Sequence, residues 1–289
     1  MPDAAVDARV ARHRFGRAAG SYAQASRLEA EIGARMLDRL DYIRLAPQRV
    51  LDAGCGPGRD ARALAKRYRA AEVVALDFSL PMLLAGRPRL GWFETRRLKR
   101  VCGDLCRLPL AAAAANLVWS NMALHWAADP LAALREFHRV LAVEGLLMFS
   151  TLGPDTLAEL RAAAGAARVH AFADMHDIGD MLVAAGFAEP VMDAERLTIE
   201  YPDADALLAD LRASGQTYAL SGGGHGPKGL TGRGFLAALK QQLAAQRLEG
   251  KLPVSYEVVY GHAWKPAPRR AADGRSIVQF ERRPGENAK

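Results

Sequence analysis

A glycine turn with an aspartate on each side is the stretch of this chain whose residue types and spacing could do chemistry. Asp52 stands before Gly54, Gly56 and Gly58, and Asp77 follows nineteen positions after the last of them. Glycine lets a backbone turn sharply and approach a ligand where a Cβ atom would clash. An acid at the position of Asp77 can accept hydrogen bonds from both hydroxyls of a ribose. The pattern predicts a site for a nucleoside-containing cofactor, with an ordinary tight turn as the alternative.

The same residues discriminate between two kinds of cofactor. A dinucleotide fingerprint has the spacing G-x-G-x-x-G, whereas position 59 of this chain is arginine. The carboxylate of Asp52 would repel a pyrophosphate, and it would suit an ammonium or sulfonium group. The turn therefore favours a cationic cofactor over NAD.

The elements around the turn must position it. Val50 and Leu51 are typical of the end of a buried strand. Residues 59–69 have the pattern of a helix with one apolar face, and residues 72–76 have the pattern of a second strand. Strand, glycine turn and helix form the first half of a nucleotide-binding βαβ unit.

Further polar residues follow the third and fourth predicted strands. A strand over 98–103 leads to Asp104, which can accept a hydrogen bond from an exocyclic adenine amine or serve only in a turn. A strand over 116–120 leads to Asn121 and His125, with Trp126 as an aromatic wall. Ligands bind beyond the carboxyl ends of strands in open α/β sheets. A lone histidine is more often structural than catalytic, but His125 lies at this edge of the sheet, so both interpretations of it stay open.

Composition limits the class of protein. The chain has 289 residues, half of them hydrophobic, which fits one large α/β domain with an elaboration or two small domains. Its net charge of +7 suits an acidic partner or only a basic surface. No basic stripe interleaved with aromatic residues points to nucleic acid.

Cysteine usage and hydropathy indicate the compartment. Three cysteines without a disulfide framework favour a reducing environment. Cys102 and Cys106 are interpreted as buried thiols rather than metal ligands, so no metal is expected. The N-terminus lacks the apolar core of a signal peptide, and no apolar run is long enough to span a membrane. We expect a cytoplasmic protein without membrane contact.

The remaining elements are predicted from periodicity. Residues 1–12 are expected to be disordered, and residues 13–41 are expected to be helical. Within this helical segment, Tyr22 is expected either to cover the cofactor as part of a lid or to pack on the sheet edge. The other predicted helices are 79–87, 129–141, 155–167, 174–185, 203–213 and 233–247, and the other strands are 146–151, 188–201, 254–264 and the short 276–280. A glycine-rich loop at 221–229 is expected to be a mobile lid or a linker.

Four stretches resemble one enzyme family. These are 15–22 (Phe-Gly-Arg-Ala-Ala-x-x-Tyr), 50–58, 119–121 (Trp-Ser-Asn) and 149–160 (Phe-Ser-Thr-Leu…Glu-Leu). They resemble the malonyl-acyl-carrier-protein O-methyltransferases of biotin synthesis, which are class I S-adenosylmethionine-dependent methyltransferases. The segment 177–187, with 201–202 and 210–211, is also similar to a complex I assembly factor that hydroxylates an arginine, and this is the alternative.

The resemblance implies a Rossmann-like α/β fold. It consists of a seven-stranded, mostly parallel sheet with helices on both faces, an N-terminal helical lid and a helical insertion between strands 6 and 7. The expected divisions are a lid segment 1–41, a core 42–202, an insertion 203–250, a last core strand 251–265 and a basic tail 266–289.

The resemblance also implies a set of site residues. The cofactor, S-adenosylmethionine, is expected to contact Asp52, Gly54, Cys55, Gly56, Gly58, Asp77, Phe78, Asp104, Leu105 and Asn121. The residues expected to act on the substrate are Tyr22, His125 and Arg212. Arg212, in the insertion, would hold the substrate carboxylate and Tyr22 would close the site.

The implied reaction is methylation of the free carboxylate of malonyl on acyl carrier protein. A carboxylate is already a nucleophile, so no general base is needed. The carrier protein is acidic, and Lys228, Arg233 or Lys240 could steer its docking. A monomer is expected. Another enzyme on this scaffold, or a protein that binds the cofactor without chemistry, remain the alternatives.

Overall fold

The computed structural model describes residues 6–86, 97–217 and 233–268. The strands are β1 (Arg49–Ala53), β2 (Glu72–Asp77), β3 (Leu98–Cys102), β4 (Ala115–Ser120), β5 (Leu141–Leu152), β6 (Ala188–Tyr201) and β7 (Leu252–Trp264). The helices are α1 (Ala8–Ala18), α2 (Tyr22–Ala25), α3 (Arg27–Arg39), α4 (Arg59–Arg67), α5 (Leu80–Ala85), α6 (Pro130–Val140), α7 (Ala158–Ala164), α8 (Met175–Ala184), α9 (Ala204–Ala213) and α10 (Arg233–Ala245).

One seven-stranded sheet organises the described chain. Its strand order is β3-β2-β1-β4-β5-β7-β6, and only β7 runs antiparallel to its neighbours. The chain reverses its direction of travel across the sheet between β1 and β4, so a crevice opens beside the carboxyl end of β1. The predicted seven-stranded, mostly parallel sheet is confirmed.

Helices cover both faces of this sheet. The central strands are apolar on both sides. In β1, Val50 packs in the core cluster under α3 and α4, and Leu51 packs in the core cluster under α6 and α8 on the other face. Strands that are buried on both faces need such continuous apolar runs. The core therefore consists of two layers, one on each side of the sheet.

The N-terminal segment differs from the prediction. The expected disorder over 1–12 is wrong for its described helical part, since α1 begins at Ala8. The side chain of Asp7 caps this helix by accepting hydrogen bonds from the backbone N–H groups of Arg9 and Val10 at 2.9 and 3.1 Å. The single helix expected over 13–41 is instead divided into α1, α2 and α3. The breaks lie around Gly20 and at Ser26, whose backbone leaves the helical region.

Three further expectations need correction. The strand expected over 146–151 begins earlier, because β5 starts at Leu141, directly after the end of α6. The helix expected over 155–167 is shorter, because only α7 and a short 3-10 turn after it are helical. Cys102 is exposed rather than buried, because it ends β3 at the edge of the sheet. Cys106 is partly buried, and its thiol lies 3.4 Å from the carbonyl of Asp129.

Parts of the prediction fall elsewhere. The loop 221–229, which includes Lys228, and the short strand 276–280 lie outside the described residues. The division of the chain into lid, core, insertion and tail stays a prediction.

Candidate active site

The glycine turn between β1 and α4 requires glycine for its backbone. Gly54 and Gly58 have φ angles of +83° and +78°, in the left-handed region that favours glycine. A Cβ atom at Gly54 would lie 2.2 Å from the Cβ of Ala123. The backbone N–H of Gly54 also donates to the carbonyl of Leu76 at 2.8 Å. The turn is thus fixed to β2 and lies directly against the loop that follows β4.

Asp77, the last residue of β2, holds the turn in place. Its Oδ2 accepts a hydrogen bond from the backbone N–H of Gly56 at 2.9 Å, and its Oδ1 accepts one from Ser79 at 2.8 Å. The carboxyl group is buried, and burial raises its pKa to about 6. Each carboxylate oxygen can accept a second hydrogen bond. The side chain lines a cavity and is therefore placed to bind hydroxyls there.

This cavity lies at the carboxyl ends of β1, β2 and β4 and has aromatic walls. The ring centroid of Phe15 is 5.0 Å from that of Trp126, 6.0 Å from that of Phe78 and 6.3 Å from that of Tyr22. The polar side chains that line it are Asp77, Asp104 and Asn121. An apolar cavity with a few convergent polar groups is the usual form of a small-molecule site.

A second cavity shares Tyr22 with the first and carries the three carboxylates of Glu29, Asp52 and Asp60, so we call it the acidic cavity. Arg59 and Arg62 also line it. Asp52 is 1% exposed, and its Oδ2 has no hydrogen-bond partner among the described residues. Burial, followed by the nearby carboxylate of Asp60, raises the pKa of Asp52. A buried carboxylate oxygen without a partner suits a cationic group of a ligand.

Asn121 connects these acids to the sheet. Its Nδ2 donates to Asp60 Oδ2 and to the backbone carbonyl of Glu29, both at 2.8 Å. Its Oδ1 accepts from the Ser150 hydroxyl at 2.8 Å, and Asp60 Oδ2 also accepts from Trp119 Nε1 at 3.1 Å. All polar atoms of the amide are therefore directed by the protein. Asn121 is fixed where the two cavities meet.

Tyr22 covers the glycine turn. A Cβ atom at Gly56 would lie 3.5 Å from Cε1 of the tyrosine ring. Burial, and then the carboxyls of Glu29 and Asp77, raise the pKa of Tyr22 well above its ordinary value, so the phenol stays neutral. Tyr22 lines both cavities.

Two side-chain contacts join the N-terminal helical segment to the last residue of α9 and to the residues that follow it. The Ser21 hydroxyl donates to the carbonyl of Ala213 at 2.8 Å, and the Gln216 amide donates to Glu29. Burial raises the pKa of Glu29 to about 7. The N-terminal helices and α9 therefore close over the carboxyl edge of the sheet together.

An apolar groove of about 280 Å³ lies next to the aromatic cavity. His170 lines this groove, and its ring packs against Trp126 with a centroid distance of 5.0 Å. Arg168 and Arg212 also line it. Arg212 is exposed and has no hydrogen-bond or ion-pair partner among the described residues. The leucines of the groove are Leu157, Leu160, Leu208, Leu211, Leu236 and Leu239.

Comparison with known proteins identifies the family. The family model described as "Methyltransferase domain" matches residues 51–149. A protein of Gallionella capsiferriformans (strain ES-2) is 48% identical over 287 residues, covering 96% of this chain and 98% of its own length. That protein is named malonyl-[acyl-carrier protein] O-methyltransferase. The chain belongs to the malonyl-[acyl-carrier protein] O-methyltransferase family.

Solved structures agree with the family at the level of the fold. A crystal structure from Bacillus halodurans C-125, named as a candidate methyltransferase, has a TM-score of 0.60 at 18% identity and covers 81% of this chain and 99% of its own. Phosphoethanolamine N-methyltransferase 2 of Haemonchus contortus, solved with S-adenosyl-L-methionine, has a TM-score of 0.53 at 18% identity, covering 81% of this chain and 52% of its own. The class I methyltransferase fold expected from the sequence is confirmed.

The structure of this O-methyltransferase family member brings most of the predicted cofactor residues together. Those that line the aromatic cavity are Gly54, Gly56, Asp77, Phe78, Asp104, Leu105 and Asn121. Asp52 and Cys55 line the acidic cavity, and Gly58 caps α4 from within the turn. Their individual contacts with a cofactor stay predictions.

Two predicted substrate residues lie apart from this cluster. His125 is not among the described residues that line the aromatic cavity. Its Nδ1 lies 3.2 Å from the hydroxyl oxygen of Thr151, and its ring packs on the rings of Trp126 and Phe172. Burial lowers its pKa to about 3, so the imidazole is neutral. Arg212 lies in the apolar groove, beyond the contact of Trp126 with His170. Only Tyr22 of the three touches the aromatic cavity.

Sequence reasoning missed two acids of the second cavity. Asp60 lies two residues after the last glycine of the turn, in the first turn of α4. Glu29 interrupts the apolar positions of α3 between Leu28 and Ile32, and it is buried with them. A charged residue on the buried face of an amphipathic helix is a signal that could have found it.

Two kinds of feature are absent from residues 6–86, 97–217 and 233–268. There, no group of three or more His, Cys, Asp or Glu side chains could hold a metal ion. No helix of the same residues is long and apolar enough to cross a membrane.

Proposed function

We propose that this protein transfers a methyl group from S-adenosylmethionine to the free carboxylate of malonyl bound to acyl carrier protein, in biotin synthesis. The observation that carries this proposal is the 48% identity, over nearly the whole of both chains, to a protein named for that substrate. The two joined cavities support it, because one offers aromatic walls and the other an unpartnered carboxylate.

The residues present fit this cofactor. Asp77 would accept the ribose hydroxyls, and Asp104 and Leu105 would hold the adenine at the edge of the aromatic cavity. The free Oδ2 of Asp52 would attract the cationic methionine end, where a pyrophosphate would be repelled. We therefore expect S-adenosylmethionine to bind and NAD not to bind, as titration calorimetry with each ligand can measure.

The chemistry requires alignment more than acid–base catalysis. When bound, S-adenosylmethionine supplies an electrophilic methyl group on a positively charged sulfur. The malonyl carboxylate is the nucleophile, so the protein need only direct it in line and exclude water. Tyr22, Phe15 and Trp126 form the apolar walls that exclude water. His125 is neutral and fixed on Thr151, which suits a role in holding Trp126 rather than in proton transfer.

The groove beside Trp126 would admit the malonyl arm. Its leucine walls suit the apolar part of a thioester-linked arm, and Arg212 supplies a cation without a described partner. A guanidinium can hold a carboxylate by two parallel hydrogen bonds. The carboxylate would then approach the aromatic cavity past His170 and Trp126.

Mass spectrometry of malonyl-acyl carrier protein tests the proposal. After incubation with the enzyme and S-adenosylmethionine, we expect one methyl group to be added, and none with acetyl-acyl carrier protein, which has no free carboxylate. A substrate that remains unmethylated while the cofactor binds would overturn the proposed substrate. The proposed monomeric state can be measured by light scattering, and the proposed cytoplasmic location by fractionation of cells.

A further inference from the structure

The outward face of α1 is strongly basic. The helix carries Arg9, Arg12, Arg14 and Arg17, and it contains no acidic residue. With 100° between successive residues, Arg9, Arg12 and Arg17 fall on one side of the helix, together with His13. All four of these side chains are exposed. We call Arg9, Arg12, His13 and Arg17 the α1 basic face.

These cations are not used to hold the fold together. Arg9, Arg12 and Arg17 make no ion pair or side-chain hydrogen bond with the described residues. By contrast, Arg35 and Arg39 on α3 are paired with Glu195 and Asp193. Like charges that face one another on a helix destabilise it slightly. A cluster of this kind, with no internal partner, is available to an external anion.

The opposite face of α1 forms part of the active site. Ala11, Phe15 and Ala18 are buried, and Ala8 and Phe15 line the aromatic cavity. Burial, and then the nearby charge of Arg14, lower the pKa of His170, which lines the apolar groove. One helix therefore separates the cofactor cavity from the basic surface, and the groove begins beside it.

We propose that the α1 basic face is the docking surface for the acidic carrier protein that presents the substrate. This inference rests on the proposed function, since it concerns the same substrate. Opposite charges on two proteins steer their encounter and fix their relative orientation. A carrier docked here would stand one helix away from the cavity, with the mouth of the groove at its edge.

The structure disfavours two other acidic partners. A basic amphipathic helix can lie on a membrane only if its apolar face is free to enter the lipid, and the apolar face of α1 is buried in the protein. The exposed side of α1 carries no aromatic side chain on which a nucleic acid base could stack. A folded acidic protein needs neither feature.

A double charge reversal tests the proposal. Glutamate at positions 9 and 12 lies near the N-terminus of α1, where negative charge favours a helix, so Arg9→Glu with Arg12→Glu should fold. We expect KM for malonyl-acyl carrier protein to rise about ten- to hundredfold with kcat nearly unchanged. KM for malonyl-pantetheine, which lacks the protein, should stay the same, as should the affinity for S-adenosylmethionine.

The control changes the same charge elsewhere. Arg44 and Lys66 are exposed, without described partners, and lie at the opposite edge of the sheet, before β1 and in the last turn of α4. Arg44→Glu with Lys66→Glu should leave KM for the carrier substrate within about twofold of the original. The difference between the two double variants should shrink as salt is raised, because screening weakens the attraction.

Three results would overturn the docking surface. One is an unchanged KM in the α1 variant, and another is an equal rise in the control variant. The third is an equal loss with malonyl-pantetheine, which would place the effect in the active site. If neither malonyl substrate is methylated, the proposed function fails instead. Binding of fluorescent acyl carrier protein then still decides the docking: Arg9→Gln with Arg12→Gln should weaken it, and unchanged binding refutes it.

Discussion

Replacing Asp77 with asparagine separates its two roles. The carboxylate accepts hydrogen bonds from the backbone N–H groups of Gly56 and Ser79, one on each oxygen. An asparagine of the same shape has one acceptor oxygen, so one of these N–H groups would face an amide NH₂ group. An unsatisfied buried donor costs about 1–3 kcal/mol. The turn should remain folded, but less stable and less well placed for a ligand.

The effect on cofactor binding follows from the same loss. Charge-assisted hydrogen bonds to ribose hydroxyls contribute about 1–3 kcal/mol, so the Kd for S-adenosylmethionine should rise about five- to 150-fold at pH 7. Titration calorimetry measures this directly. Asp38→Asn, an exposed acid on α3 without a described partner, is the matched control and should leave Kd unchanged.

The pH dependence gives a second test. Because burial raises the pKa of Asp77 to about 6, the ionised form that binds hydroxyls is lost as pH falls through that value. Affinity of the original protein should be level above pH 7 and should fall about tenfold per pH unit well below 6. The Asp77→Asn variant should show a smaller fall over the same range. Equal affinities at pH 7, or parallel pH profiles, would refute the assignment of Asp77.

Three other changes have defined outcomes. The rate of methyl-ester formation should fall from the original protein to Arg212→Lys and again to Arg212→Ala, with a loss of about a hundredfold in the alanine variant. Equal rates in the three proteins would show that Arg212 has no part in the mechanism. Gly54→Ala should lower the free energy of unfolding, measured in urea, by about 2–5 kcal/mol, because the φ angle is positive and the new Cβ would clash with Ala123. In the control Gly20→Ala the new Cβ meets no atom within 4 Å, so the free energy of unfolding should change by less than about 1 kcal/mol. Burial raises the pKa of Glu29 to about 7, so ionisation of this carboxyl opposes folding. The free energy of unfolding of Glu29→Gln, relative to that of the original protein, should therefore increase by up to about 3 kcal/mol as pH rises from 4.5 through 7. A difference that stays constant with pH would contradict the buried acid.

The sequence was most informative where local chemistry and strand order coincide. Positive φ angles at Gly54 and Gly58 are local to the turn, and the seven strands followed from apolar runs and from alternation. These features depend on neighbours in sequence. Asp77 lies 21 residues beyond Gly56, and it could be predicted beside the turn because β1 and β2 pair in parallel, so that their carboxyl ends lie together.

Contacts between distant segments could not be predicted in the same way. The N-terminal break into α1, α2 and α3 depends on where Ser21 meets Ala213, and a periodic apolar pattern contains no such information. His125 was a candidate because it follows a strand end, yet the 3-10 turn at Leu124–Trp126 directs Trp126 to the cavity and His125 to Thr151. The position of a side chain after a strand depends on the turn, which the strand pattern does not specify.

The bond from Ser21 to Ala213 also has a consequence for synthesis of the chain. Its partners are 192 residues apart, and Gly215, against which Phe15 and Ala18 pack, lies two positions further on. On the ribosome, α1 is made before any strand of the sheet, whereas Gly215, which packs on one side of its apolar face, is made only after β6. Until then Phe15 lacks that side of its packing, and the cavity lacks a fixed wall. We therefore expect nascent chains that stop before α9 to bind S-adenosylmethionine poorly, even though the three strands at the cavity, β1, β2 and β4, and every glycine of the turn have already been made.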